Sequence, residues 1–434
     1  MSGVSKQQQN KYRFVAKKGS GAFADVIQAQ NTKTMEMVAI KRLKQVYKSV
    51  DKITKLREIQ ALKLLQNHPT VVHLLEILFD RNTGKLAMVF ELMTMNLYEI
   101  IKNKKQYLQD RQIKFYFFQM MDGLAAMHAA GYFHRDIKPE NVLMKKQNDS
   151  YLTHEVKIAD VGSCRQIDTP HPYTEYISTR WYRSPETILS DGVYGPEMDI
   201  FGSACLLFEL SALFPLFPGK DELDQIYRIH SVLGTPQQQV MDRIRKGVVN
   251  NPIKGDFAPV KGTGIHRLAT NLRPDCLDLL EKMLTYDPLQ RLTASQVLQH
   301  HYFDDIPSIL SDARAQKANK ELINHLEKTW CSVRGLTEVP IKQKQVNSDF
   351  SDDEINRDDK GIQNKTIKQR VKKVVKHQQA TNGQQSLLQV VPLQKKKVDQ
   401  NKQNGPIIVS VPLPALNKGM TNQFYKAGLK MMKK

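Results

Sequence analysis

Eight residues, His134-Arg135-Asp136-Ile137-Lys138-Pro139-Glu140-Asn141, constrain this chain most, because Asp160-Val161-Gly162 follows about twenty residues later. Moving a phosphoryl group to a hydroxyl requires a carboxylate that orients the hydroxyl and takes its proton. It also requires a cation beside the moving phosphate and hard oxygen ligands for Mg2+. Asp136 fits the first role, Lys138 the second, and Asn141 with Asp160 the third. The full pattern at this spacing is too specific for chance. Each feature below has an ordinary structural explanation when taken alone.

Upstream, Gly19-Ser20-Gly21 sits between two strand-like stretches, "YRFVAKKG" and "ADVIQAQ". Glycine leaves backbone amides open to phosphate oxygens, although a lone glycine turn is more often a plain hairpin. Next comes Val38-Ala39-Ile40-Lys41 on a strand pattern. Lys41 can hold phosphates only if its ammonium is fixed, and Glu58 in "KLREIQALKLL" is the natural partner. An exposed Lys–Glu pair contributes little, but one aimed at a triphosphate is functional.

Short apolar bursts predict strands up to about residue 93, with one helix over "SVDKITKLREIQALKLLQ", where Ile53, Leu56, Ile59, Leu62 and Leu65 recur at helical spacing. From 94 the pattern turns helical. "MDIFGSACLLFELSAL" is apolar nearly all round and predicts a central buried helix. The reading is an α+β chain with two lobes, a small β-rich one over about 12–93 and a large helical one over about 94–303. Residues 1–11 are expected to be disordered. Residues 304–434 read as a basic, low-complexity, mostly disordered tail; "ANKELINHLEKTW" is a candidate helix within it, and the prolines of "PIIVSVPLPAL" argue against regular structure.

Four cysteines without a C-x-x-C pair suggest neither a disulfide framework nor a cysteine zinc site, which fits a reducing compartment. The N-terminal residues lack an apolar signal-peptide core, and no run is long enough to span a bilayer. The formal charge is +20, and from Gly361 onward fifteen Lys and Arg face one acid, Asp399. Such a run is either a solvated tail or a grip on a polyanion or an import receptor.

With these motifs in view, the chain resembles eukaryotic serine/threonine protein kinases of the group that holds the cyclin-dependent and mitogen-activated kinases. "PYTEYISTRWYRSPE" and "ELMTMNLYEII" resemble the MAK-related family in particular. The match covers about 12–303. It implies a bilobal kinase fold, ATP and Mg2+ as cofactors, and transfer to Ser/Thr of protein substrates. By resemblance, Lys41 and Glu58 join Asp136 and Lys138 in catalysis. Phe90 is the gatekeeper, and Glu91 to Met93 form the hinge that bonds adenine. Val26, Ala39 and Leu143 sandwich the base, and Asn96 lies near the ribose. Glu186 pairs with Arg291, and Asp199 braces the catalytic loop, although "DIFGSAC" departs from the family pattern beneath it. Thr174 and Tyr176 offer hydroxyls for an upstream kinase, and Arg57, Arg135 and Arg165 converge to hold phosphothreonine. Arg180 and Arg183 imply a pocket for proline after the target residue. The family points to cytoplasm, nucleus or cilium.

Two positions depart from the family. Ala24 replaces a third glycine and Val161 replaces phenylalanine. A phenylalanine there would stack with Leu62, Leu74 and His134, so valine is expected to cost the active arrangement about 1–3 kcal/mol if a cavity remains. Because the catalytic set is complete, the reading is an active kinase. The competing reading is a nucleotide-binding pseudokinase scaffold.

Overall fold

The computed structural model describes residues 11–173, 179–253 and 256–339, together with the backbone strand Ile408–Val411. Thr174, Tyr176, the first ten residues and most of the basic tail lie outside the described residues. Alternating apolar residues build an antiparallel sheet from β1 (Tyr12–Ser20), β2 (Ala24–Asn31) and β3 (Met37–Val46). Their inward residues Ile27, Ala29, Val38 and Ile40 form a small buried cluster with Val89. The expected single helix is two, α1 (Val50–Thr54) and α2 (Arg57–Leu64). Leu56 turns extended between them, with ψ 127°, and starts the second helix one residue before Glu58. β4 (Leu74–Asp80) and β5 (Lys85–Glu91) complete the lobe, in the order β1-β2-β3-β5-β4. The β2–β3 register places Val26 opposite Lys41, and the β3–β5 register places Ala39 opposite Phe90.

After β6 (Met95–Asn96) the chain becomes helical with α3 (Leu97–Ile101) and α4 (Asp110–Ala129). The short strands β7 (Tyr132–Phe133), β8 (Val142–Lys145), β9 (Glu155–Ile158) and β10 (Arg165–Gln166) hold the loops between them. Then come α5 (Pro185–Leu189), α6 (Glu197–Ala212), α7 (Glu222–Leu233), α8 (Gln238–Ile244), α9 (Pro274–Met283) and α10 (Ala294–Gln299). Every residue of α6 from Met198 to Ala212 is buried. A helix without a polar face can only be central.

The fold does not stop at 303. α11 (Ile306–Ala315) and α12 (Lys320–Val333) pack on the large lobe. Ile306, Ile309, Leu310 and Ala313 are buried from one, Leu322, Ile323, Leu326 and Trp330 from the other. Trp330 Nε1 donates to Phe303 O at 2.9 Å. The first part of the stretch read from sequence as a mostly disordered tail is therefore packed, and α12 falls on the candidate helix "ANKELINHLEKTW". The Gln, Asn, Lys and Ser that give this stretch its polar texture line the outer faces, and the apolar stripe at helical spacing fixes the inner ones.

A second correction concerns "PIIVSVPLPAL". Residues Ile408–Val411 form β11, which adds antiparallel to the free edge of β4, with Ile408 opposite Asp80 and Val411 opposite Ile77. In sequence the prolines, Pro406 and Pro412, fall outside the strand rather than within it. No helix among the described residues is long and apolar enough to cross a membrane.

Candidate active site

Lys41 is where the two lobes meet in chemical terms. Its Nζ lies 2.6 Å from Glu58 Oε1 and 2.8 Å from Asp160 Oδ1. Burial alone would lower the lysine pKa, but the two carboxylates outweigh it and drive the value well up, so the ammonium stays charged. Asp160 is held in the left-handed region at φ 55°, uncommon for a side chain other than glycine. Burial works to raise its carboxyl, yet the Lys41 ammonium holds it below the usual range. Glycine follows for a steric reason: a Cβ at Gly162 would come within 3.3 Å of both Lys41 Nζ and Glu58 Oε2.

The second half of the site is built on Asp136. Its Oδ2 accepts from Lys138 Nζ and Asn141 Nδ2, each at 2.8 Å, and its Oδ1 accepts from Thr179 N at 3.2 Å. Asn141 Nδ2 also donates to Asp136 O at 2.8 Å, so these bonds use the amide nitrogen and leave the amide oxygen out of them. Thr179 ties the loop together, because Lys138 Nζ also donates to its hydroxyl at 3.1 Å. Buried Asp199 fixes the loop from below, accepting from His134 N at 2.7 Å and Arg135 N at 2.8 Å. Sequence reasoning missed Thr179 and His128, whose Nε2 bonds Asp199 at 2.9 Å. Thr179 adjoins Arg180 and was legible; His128, on the far end of α4, carried no signal. Phe201 packs beneath, stacked on Phe217 with Arg291 over its ring, where the family pattern expects a different residue.

The residues assigned to the nucleotide lie together around this cluster. Val26 and Lys41 are paired across β2 and β3, Phe90 is almost buried, and Leu143 pairs with Asn96 across β6 and β8. Asn96 uses Oδ1 to cap α3, accepting from Glu99 N at 2.9 Å. Glu91, at the end of β5, accepts from Lys157 Nζ at 2.7 Å, and Met93 is buried beyond it. A Cβ at Gly19 would meet nothing within 4 Å, and at Gly21 only Ala24 O at 3.6 Å. No packing among the described residues calls for these glycines. What they keep, beside Ser20, is bare backbone, which is what phosphate oxygens need. Ala24 opens β2 opposite Leu43, past the turn, at a position where alanine carries no strain.

Val161 is 1% exposed and shares one apolar cluster with Leu62 and Leu74. His134 is fully buried, with its ring Nε2 2.9 Å from Ala159 O. The four residues named from sequence are all interior. Nearby, Arg57, Arg135 and Arg165 converge. Burial and the charges of Arg165 and Arg135 lower the Arg57 pKa. Arg135 Nε donates to Ser163 O at 2.7 Å, and Arg165 Nε has no hydrogen-bond partner among the described residues. The three guanidinium groups therefore lie close enough to act on one another's charge. Farther along, Arg183 pairs with Glu222 at 3.0 Å, and Arg180 donates to Lys220 O at 2.8 Å. Glu186 and Arg291 form a buried bidentate pair at 2.6 and 3.0 Å.

A lobe of antiparallel strands over a helical lobe, with Lys41, Glu58, Asp136, Asn141 and Asp160 gathered between them, defines a protein kinase. The protein kinase domain model matches residues 12–303. Human "MAPK/MAK/MRK overlapping kinase" is 44% identical over 294 residues, 68% of each chain. "Cyclin-dependent kinase F-3" of Oryza sativa subsp. japonica is 38% identical over 298 residues, 68% of this chain and 65% of that one. Human "Serine/threonine-protein kinase MAK" is 35% identical over 333 residues, 77% and 52%. The chain belongs to the protein kinase domain family, among the MAK-related serine/threonine kinases.

Proposed function

We propose that this serine/threonine kinase uses ATP with Mg2+, is directed to Ser/Thr followed by proline, and is switched on by phosphorylation of Thr174. One observation carries the reading: Lys41 bonds Glu58 and Asp160 at once while Lys138, Asn141 and Thr179 hold Asp136. ATP supplies the γ-phosphoryl group, and Mg2+ held by Asn141 and Asp160 would neutralise its charge. Asp136 orients the substrate hydroxyl and takes its proton on Oδ1, which accepts from Thr179 N at 3.2 Å while Oδ2 is held by Lys138 and Asn141. Lys138, 2.8 Å from Asp136, places a positive charge where negative charge moves. Lys41, held by Glu58, positions the phosphates. The apolar walls from Val26, Ala39, Leu143 and Phe90 suit an adenine ring.

The three-arginine cluster supports phosphothreonine as the loop's organiser, since a phosphate brings about two negative charges and three acceptors. The placement of Arg180 and Arg183 against the start of α7 supports a fixed pocket for the residue after the target. The basic run after 361 supports contact with a polyanion or an import receptor, in cytoplasm, nucleus or cilium. The decisive experiment is Mg2+-dependent transfer of the γ-phosphoryl group to a basic protein substrate and to the chain itself, beside Asp160→Asn. Transfer lost in the variant supports the reading. Nucleotide binding without transfer, even with Thr174 phosphorylated, would make the chain a scaffold. A peptide array with no loss on replacing proline would remove the proline direction alone.

A further inference from the structure

Where α12 returns to the large lobe, three side chains meet that the active site does not use. They are His325 of α12, Asp122 of α4, and His68 of the loop between α2 and β4. His325 Nε2 lies 2.9 Å from Asp122 Oδ2, and His68 Nε2 lies 4.0 Å from the same oxygen. The three donor atoms all fall within 4.8 Å of one another.

The surrounding hydrogen bonds fix the protons. Thr70 Oγ1 lies 2.7 Å from Asp122 Oδ2, and Thr329 Oγ1 2.8 Å from Oδ1. Both threonine hydroxyls donate to buried Asp122, which serves as the acceptor in each contact. A carboxylate only accepts, so Thr70 gives it its one hydroxyl proton. The same Thr70 oxygen is 3.1 Å from His68 Nδ1, so His68 must donate there from Nδ1. Neutral His68 then turns a bare Nε2 lone pair toward a carboxylate oxygen, with no donor between the two acceptors.

We propose that His68, Asp122 and His325 bind a divalent transition cation, Zn2+ by ligand type. Two imidazoles and one carboxylate form a common zinc set, and a water can complete a tetrahedron. Ligand atoms about 2.0–2.1 Å from zinc sit about 3.3 Å apart, so side-chain shifts of about an ångström close the site. On binding, the neutral His325 ring carries its one proton on Nδ1, exchanged from Nε2 through water, which frees the Nε2 lone pair for the metal with no net proton released. Thr70 and Thr329 then act as the outer partners that orient the ligands. A second group, Asp278, His300 and His301, makes a natural control. There the Lys282 ammonium already lies 2.8 Å from Asp278 Oδ2 and supplies the positive charge. The three ligands come from the α2–β4 loop, α4 and α12, so zinc would clamp the C-terminal extension to both.

The test uses the full chain, stripped with a chelator and dialysed against limiting Zn2+, with bound metal counted by mass spectrometry. Co2+ substitution gives a visible absorption band as a second readout. One zinc per chain is expected above the level of the His68→Gln/His325→Gln double variant, with His301→Ala unchanged. Should the double variant unfold, the single His68→Gln variant reads the same result as at least tenfold weaker binding. No zinc above the double-variant level, or equal affinity in His68→Gln and the unaltered chain, overturns the proposal.

Discussion

Val161→Ala and Val161→Phe together measure whether the valine leaves a hole in the active arrangement. Val161 is 1% exposed and lies in the apolar cluster that contains Leu62, Leu74, Met127 and Cys164. Truncation to alanine removes two carbons, about 1.6 kcal/mol at about 0.8 kcal/mol per buried carbon. The remaining cavity raises this to about 2–3 kcal/mol. Because Val161 directly follows Asp160, the loss falls on the arrangement in which Asp160 bonds Lys41. Turnover should fall by up to about thirtyfold to a hundred-and-fiftyfold, the full loss applying when the competing arrangement is already close in energy. If the cluster has closed around valine, phenylalanine overpacks it at about 1–3 kcal/mol and also slows the enzyme. The assay is steady-state phosphorylation of a protein substrate, with thermal melts to separate local from global loss. A Val161→Phe enzyme faster than the unaltered one would refute this reasoning and restore the cavity expected from sequence.

Three further outcomes follow from other parts of the fold. Arg291→Met strands the Glu186 carboxylate, 2% exposed, and should cost about 3–5 kcal/mol in denaturant unfolding, while the Glu186→Gln/Arg291→Met pair should cost less; equal costs would show that the charge is not the cause. Burial pushes the Glu209 carboxyl from 4.5 up to about 7 beside the Tyr182 hydroxyl that donates to it at 2.6 Å. Its folded pKa is raised, so its contribution is fully present below the ordinary value and fades as pH rises through about 7; Glu209→Gln should flatten that slope and stabilise the protein above pH 7 by about 1–3 kcal/mol in unfolding at several pH values. Deleting residues 405–434 removes β11 and should speed amide hydrogen exchange along β4, most at Ile77 to Asp80; unchanged exchange there would show that the strand does not protect that edge in solution.

Much of the molecule is readable from local signals. The strand periods of β1 to β5, the all-apolar α6 and the glycine turn follow from the residues they contain. So does the grouping of Asp136, Lys138 and Asn141, because a short loop leaves these three side chains few places to go. The single helix expected over 49–66 was less readable: nothing in its apolar spacing shows that Leu56 turns extended. The polar composition of 304–339 hid α11, while α12 was legible in "ANKELINHLEKTW", since composition averages over both faces while burial depends on one. The prolines around Ile408–Val411 argued against a strand, but a strand needs only an open edge, and β4 offered one.

The sequence by itself determined the chemistry: which side chains are acids, cations and metal donors, and that their spacing suits phosphoryl transfer. Spacing along the chain is enough when residues lie within one turn or loop. Only the tertiary structure decided what depends on distance between remote segments. It set Lys41 at 2.8 Å from Asp160, gathered three arginines from separate elements, and packed valine without exposure where phenylalanine was expected. It also brought His325 to Asp122, across two hundred residues, and these contacts are long-range, so no local pattern encodes them. They arise because burying the stripes of α4, α6 and α12 together leaves each polar side chain on their seams one place where its hydrogen bonds are met.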